Sequence, residues 1–162
     1  MGFTTPCFIR KSTYKLMDRL NELGYRLFGC KLNEDLCIFT EPEYRLYSVE
    51  FFSNIPHPDE TDRIDCGTNE ELFLAIAALR DDSNYMQWFI AESSLSVSFD
   101  DAIGNDHYFI EPKGSFFFWG IEYQNATIIS GNFRKATVNE LIEHFKDCLL
   151  YTSDAADDTP CV

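Results

Sequence analysis

The chain has 162 residues, 45% hydrophobic and 25% charged, with a formal net charge of −14. That composition is ordinary for a globular protein; it excludes a disordered polar chain and suits one domain with a sizeable core. A surface this acidic repels phosphate backbones and anionic lipid, so general nucleic-acid binding is disfavoured.

No apolar run approaches the roughly 20 residues of a membrane span. The opening Met1-Gly2-Phe3-Thr4-Thr5-Pro6 lacks the basic start and apolar run of a secretory signal, so a cytoplasmic protein with reduced cysteines is expected. Fifteen Phe and eight Tyr point to a sheet-rich core, because aromatic side chains suit a pleated, half-buried surface.

In chain order, residues 7–10 predict a short strand. A helix follows Ser12/Thr13, with Leu16, Leu20 and Leu23 on one stripe and Gly24 as its stop. Residues 25–28, 36–40 and 44–52 read as strands, the last two joined by a turn at Glu41-Pro42-Glu43. Thr68-Asn69-Glu70-Glu71 is a capping-box pattern, with Thr68 and Glu71 satisfying each other's N–H groups. The run Leu72 to Leu79 behind it is apolar nearly all round, as in a helix buried on most sides.

Strands are then expected at 86–91, 95–99, 107–111, 115–123 and 127–133. Leu95, Val97 and Phe99 alternate with serines, which gives one dry and one wet face. Phe116-Phe117-Phe118-Trp119 puts aromatics on both faces, which predicts a central strand. A last helix opens at Thr137-Val138-Asn139-Glu140, with Val138, Leu141, Ile142 and Phe145 on its stripe. The expected fold is α+β: three capped helices, a mainly antiparallel sheet and a β-meander in the second half.

Residues 148–162 stand apart. Cys148-Leu149-Leu150-Tyr151-Thr152-Ser153-Asp154-Ala155-Ala156-Asp157 resembles the translation of a transposase-type sequencing adapter. The resemblance implies a non-native, disordered tail, a single native domain over 1–147 and a natural C-terminus that is missing. Sequencing the gene at its source through the codon for Asp147 tests this; the expectation fails if the genome encodes Cys148 to Val162. Without Asp154, Asp157 and Asp158 the formal charge becomes −11, and the cysteines reduce to Cys7, Cys30, Cys37 and Cys66. By coincidence, Leu149 falls on the stripe of the last helix.

Charge is also uneven along the chain. Residues 1–31 carry six basic and two acidic side chains, whereas 32–147 carry seven basic and twenty-two acidic ones. The basic group Arg10, Lys11, Lys15 and Arg19 is a candidate docking surface for a protein partner. The acidic remainder admits a variant in which the chain mimics nucleic acid and occupies a DNA-binding protein.

The densest reactive side chains lie in one loop: His57, Asp59, Glu60, Asp62 and Asp65. Hard divalent cations take several carboxylate oxygens, and a histidine beside a metal-bound water acts as general base. The loop lacks the glycine and closing glutamate of a calcium-binding loop.

Asn105-Asp106-His107-Tyr108 with Pro112 and Gly114 resembles the opening of HNH-type nucleases, but the later Asn and ligating His in ββα order are missing. With three histidines and no C-x-x-C pair, no structural metal site is expected, and no cofactor motif occurs. An aromatic platform for single-stranded RNA would need exposed Tyr108, Trp119 or Tyr123 near Lys113.

Phe8-Ile9-Arg10-Lys11, Cys66-Gly67-Thr68-Asn69-Glu70-Glu71-Leu72-Phe73 and Gln87-Trp88-Phe89 resemble segments of small proteins from gut bacteria and their phages or mobile elements. The resemblance brings no activity and no site residues. The expected function is a small, soluble, acidic, non-enzymatic accessory or interaction protein. The alternative is a metal-dependent hydrolase or nuclease built on the His57–Asp65 loop.

Overall fold

A computed structural model of the chain describes residues 2–27, 36–41, 46–49, 63–100 and 103–153. The fold is α+β, with four helices and mostly antiparallel sheets among the described residues. The chain falls into two compact units. Unit 1 comprises Met1–Asp82 and Val138–Val162, and unit 2 comprises Ser83–Thr137, inserted in sequence between the two parts of unit 1.

Unit 1 holds a five-stranded mixed sheet built from β1 (Cys7–Ile9), β2 (Arg26–Leu27), β3 (Ile38–Glu41), β4 (Leu46–Val49) and β5 (Ile64–Asp65). The order is β2-β4-β3-β1-β5, parallel at its two outer pairings and antiparallel within. β3 and β4 pair antiparallel as the expected hairpin, with Glu41 opposite Leu46; residues 42–45 lie outside the described ones.

Its helices are α1 (Tyr14–Leu23), α2 (Glu70–Ala77) and α4 (Val138–Ser153). α1 forms as its sequence dictates. Thr13 accepts from Leu16 N at 3.2 Å, Gly24 closes the helix at φ +117°, and Leu16, Met17, Leu20 and Leu23 are buried. Each such burial stabilises the fold by about 1.5–3 kcal/mol.

α2 packs against β1, α1 and α4, as its all-round apolarity predicts. Its cap differs from the expected Thr68: Asn69 Oδ1 accepts from Leu72 N, while Asn69 Nδ2 donates to Phe145 O of α4 at 3.0 Å. One amide thus serves two helices. Tyr25, stacked on Phe3 at 3.9 Å, donates from its hydroxyl to Ala77 O at 2.8 Å and satisfies a carbonyl at the end of α2. α4 continues to Ser153, into the segment expected to be disordered.

Unit 2 contains β6 (Trp88–Ala91), β7 (Leu95–Asp100), β8 (Asp106–Glu111), β9 (Phe116–Phe118), the short helix α3 (Ile121–Gln124), β10 (Ala126–Ser130) and β11 (Phe133–Lys135). All pairings are antiparallel, but the strands divide between two three-stranded sheets, β10-β7-β8 and β11-β6-β9, rather than following one meander.

Three strand expectations are corrected. β9 is an edge and β6 is central. Phe117 enters the core while Phe118 lies exposed against Trp88 at 5.2 Å, so aromatic pairing across strands accounts for the second apolar face. The expected strand over 127–133 breaks at Gly131 into β10 and β11, and the segment 115–123 ends in α3. The core of this unit joins Phe89, Ala91, Leu95, Val97, Phe117, Trp119 and Tyr123.

Candidate functional site

The basic residues near the N-terminus meet acidic partners within unit 1. Phe8 of β1 is in register with Asp65 of β5, so Arg10, two residues on, reaches the Asp65 carboxylate from the same face. Arg10 Nη2 donates to Asp65 Oδ2 at 2.6 Å and Nε donates to Oδ1 at 3.1 Å. Gly67 N donates to Asp65 Oδ1 at 2.8 Å. Burial pushes the Asp65 carboxyl up, but the Arg10 hydrogen bonds and the Gly67 N–H outweigh it and hold the pKa below its ordinary value.

Lys11 Nζ lies 2.6 Å from Glu70 Oε2, and Lys15 Nζ lies 3.9 Å from the other oxygen of the same carboxylate. Arg19 is 3.9 Å from Glu22 one turn along α1. The four predicted docking cations therefore split. Arg10 and Lys11 are engaged in close pairs, whereas Lys15 and Arg19 hold loose surface pairs of the kind that contribute little.

Of the predicted acidic loop, Asp65 belongs to β5 and is committed to Arg10 and Gly67. His57, Asp59, Glu60 and Asp62 lie outside the described residues. Among the described residues no three His, Cys, Asp or Glu side chains converge as a metal site.

Cys7, Cys37 and Cys66 are buried and none of the three is in a disulfide. A hydrogen bond with Cys7, then burial, pushes the Cys66 thiol far up, the opposite of an activated nucleophile. His107 stacks on Phe99 at 4.8 Å, and burial lowers the pKa of His144, which packs edge-on against Phe145.

Unit 2 presents a different surface. Register across β10-β7-β8 sets Ile128, Ser98 and Tyr108 in one row, with Ser130, Ser96 and Ile110 in the next. These rows form the outer face; Leu95 and Val97 point the other way into the core. On the outer face Tyr108 is 63% exposed, Ile128 61% and Ile110 52%. Ser96 Oγ and Tyr108 Oη lie 3.3 Å apart.

The alternation in β7 announces a wet face, and the surprise is that its neighbours place large apolar groups on it. Apolarity alone reads as burial; only the cross-strand register reveals these side chains as surface. Trp119 and Tyr123 are buried, which removes both from an RNA-stacking platform and leaves Tyr108 as its one exposed member of the three.

No protein-family model, curated protein or solved structure matches the chain. Among the described residues no helix is long and apolar enough to cross a membrane.

Proposed function

We propose that the chain is a small, soluble, non-enzymatic accessory or interaction protein of the cytoplasm, carried by a phage or mobile element, with another protein as partner. The observation that carries this reading is the outer face of β10-β7-β8, where Tyr108, Ile110 and Ile128 are exposed together. Apolar groups gathered on one face mark interaction surfaces. The basic residues Arg10, Lys11, Lys15 and Arg19 support the reading less, because Arg10 and Lys11 are already paired.

The metal-dependent alternative loses Asp65 to its ion pair and depends on His57, Asp59, Glu60 and Asp62. Thermal melting with Mg²⁺, Mn²⁺ and Ca²⁺ separates the two, because a ligand that binds only the folded state raises its melting temperature. The interaction reading expects no rise at about 5 mM metal, a concentration at which a site with a Kd below about 0.1 mM stabilises by about 2 kcal/mol or more. A rise of several degrees would favour the hydrolase. Affinity capture from source cells supplies the positive arm: a prey retained by the wild type and lost with Ile128→Lys supports the proposed face, and a prey indifferent to it counts against that face.

A further inference from the structure

An edge strand offers unpaired N–H and C=O groups to any extended chain that fits, and folded proteins blunt such edges by shortness, bulges, proline or charge. The described sheets have six edges. β2 and β5 are two residues long, and β9 and β11 are three. β10 is longer, but its register to β7 slips between Ala126 and Ile128. β8 differs from them all. It runs six residues, pairs with β7 without interruption from Asp106 to Glu111, and carries exposed Tyr108 and Ile110.

We infer that β8 is a self-pairing strand: it binds β8 of a second copy antiparallel, about a twofold axis at Phe109, and joins two three-stranded sheets into one of six strands. The inference rests on the interaction reading above and names its partner. A twofold normal to a sheet sets each residue opposite one on the same face, so the axis must pass through a residue.

At Phe109, Tyr108 stands opposite Ile110 of the second copy, and His107 stands opposite its Glu111. Symmetry makes each pair twice. Aromatic against β-branched, and imidazole against carboxylate, are favourable cross-strand pairs. With the axis at Tyr108, Asp106 would face Ile110 and both matches vanish. With the axis at Ile110, Phe109 would face Glu111. The sequence of β8 is thus self-complementary in one register, with apolar pairs flanking the centre and a charged or polar pair outside them.

One strand edge and part of one sheet face make a small interface, so association is weak and concentration-dependent. The net charge of −14 opposes it, and moderate salt relieves that repulsion.

Sedimentation velocity of the full chain, at about 0.15 M salt and from about 5 to 300 µM, tests the pairing. The expected result is an 18.7 kDa species that passes to twice that mass as concentration rises. Tyr108→Lys or Ile110→Glu alone should weaken dimerisation at least about tenfold, because each disrupts two symmetric pairs at the centre of the interface. Both changes in one chain should restore it to within about threefold of wild type, since each new lysine then faces a new glutamate across the axis. Urea midpoints read by tryptophan fluorescence check that all three variants fold.

A mass fixed at 18.7 kDa throughout would overturn the inference. So would a dimer indifferent to both single changes, or one lost in folded single variants and not regained in the double. A strictly monomeric chain that still captures an Ile128-dependent prey would overturn self-pairing and leave the interaction reading standing.

Discussion

Gly131 sits between β10 and β11 at φ +117°, a backbone conformation that L side chains rarely adopt. A Cβ there would lie 2.7 Å from Ser94 O, 2.7 Å from Leu95 Cδ2 and 3.1 Å from Ser93 Oγ. None of the three yields easily. Ser94 O is backbone, Leu95 is fully buried, and Ser93 is held because its Oγ accepts from Asn132 N at 2.8 Å.

Gly131→Ala therefore combines a local conformational cost of about 1–2 kcal/mol with an overpacking cost of about 1–3 kcal/mol. Gly104 is the internal control. It has φ +90° with no atom within 4 Å of its would-be Cβ, so Gly104→Ala carries the conformational cost alone. The two variants should differ by about 1–3 kcal/mol, or about 1–3 M in urea midpoint at a slope near 1 kcal/mol/M. Trp88 and Trp119 both lie in unit 2, so tryptophan fluorescence follows this unit by itself. If Gly131→Ala melts within about 0.5 M of Gly104→Ala, the close approach of the Ser94 carbonyl and the Leu95 side chain to Gly131 is refuted.

Three further outcomes concern unit 1. Asn69→Asp keeps a good helix cap but loses the amide donor to Phe145 O and sets a carboxylate against a carbonyl, so it should destabilise by about 1–3 kcal/mol in urea melts followed by circular dichroism; a neutral result would remove the link between the helices. Tyr25→Phe strands the buried Ala77 O and should cost about 1–2 kcal/mol, against less than about 0.5 if solvent replaces the hydroxyl. Because the folded-state pKa of Asp65 lies below its unfolded value, its contribution is fully present above about pH 4 and is lost as pH falls through the folded value. Asp65 is half exposed, so the effect is modest; wild type should lose more stability than Asp65→Asn between about pH 4.5 and 2.5, and equal losses would contradict the pairing with Arg10.

The local parts of the fold were legible where the controlling atoms lie within one turn of each other. Thr13, the Leu16–Leu20–Leu23 stripe and Gly24 specify α1 by neighbours alone. Asn69 displaces Thr68 as the cap of α2 in the structure because its amide also reaches Phe145, 76 residues away, and no local window contains that bond.

Four adjacent aromatics made β9 look central; on its second face Phe118 is instead exposed and paired across the strand with Trp88. The site was less legible for the same reason. Asp65 reads as one carboxylate in an acidic loop until β5 is placed beside β1, where Arg10, 55 residues earlier, neutralises it. The sequence places Tyr108 and Ile110 in a strand without saying which face they take, and register with Ser98 and Ser96 puts them outside.

If β8 is the working surface of this protein, amide hydrogen exchange of residues 106–111 shows it most directly. In an antiparallel edge strand alternate N–H groups point away from the neighbouring strand, and those exchange freely until another strand covers them. Measured at about 5 and about 200 µM chain, exchange in 106–111 should slow at the higher concentration, with little change over residues 7–27 of unit 1. Exchange in β8 that is the same at both concentrations, or slowing confined to residues 10–19 around the basic side chains, would contradict it.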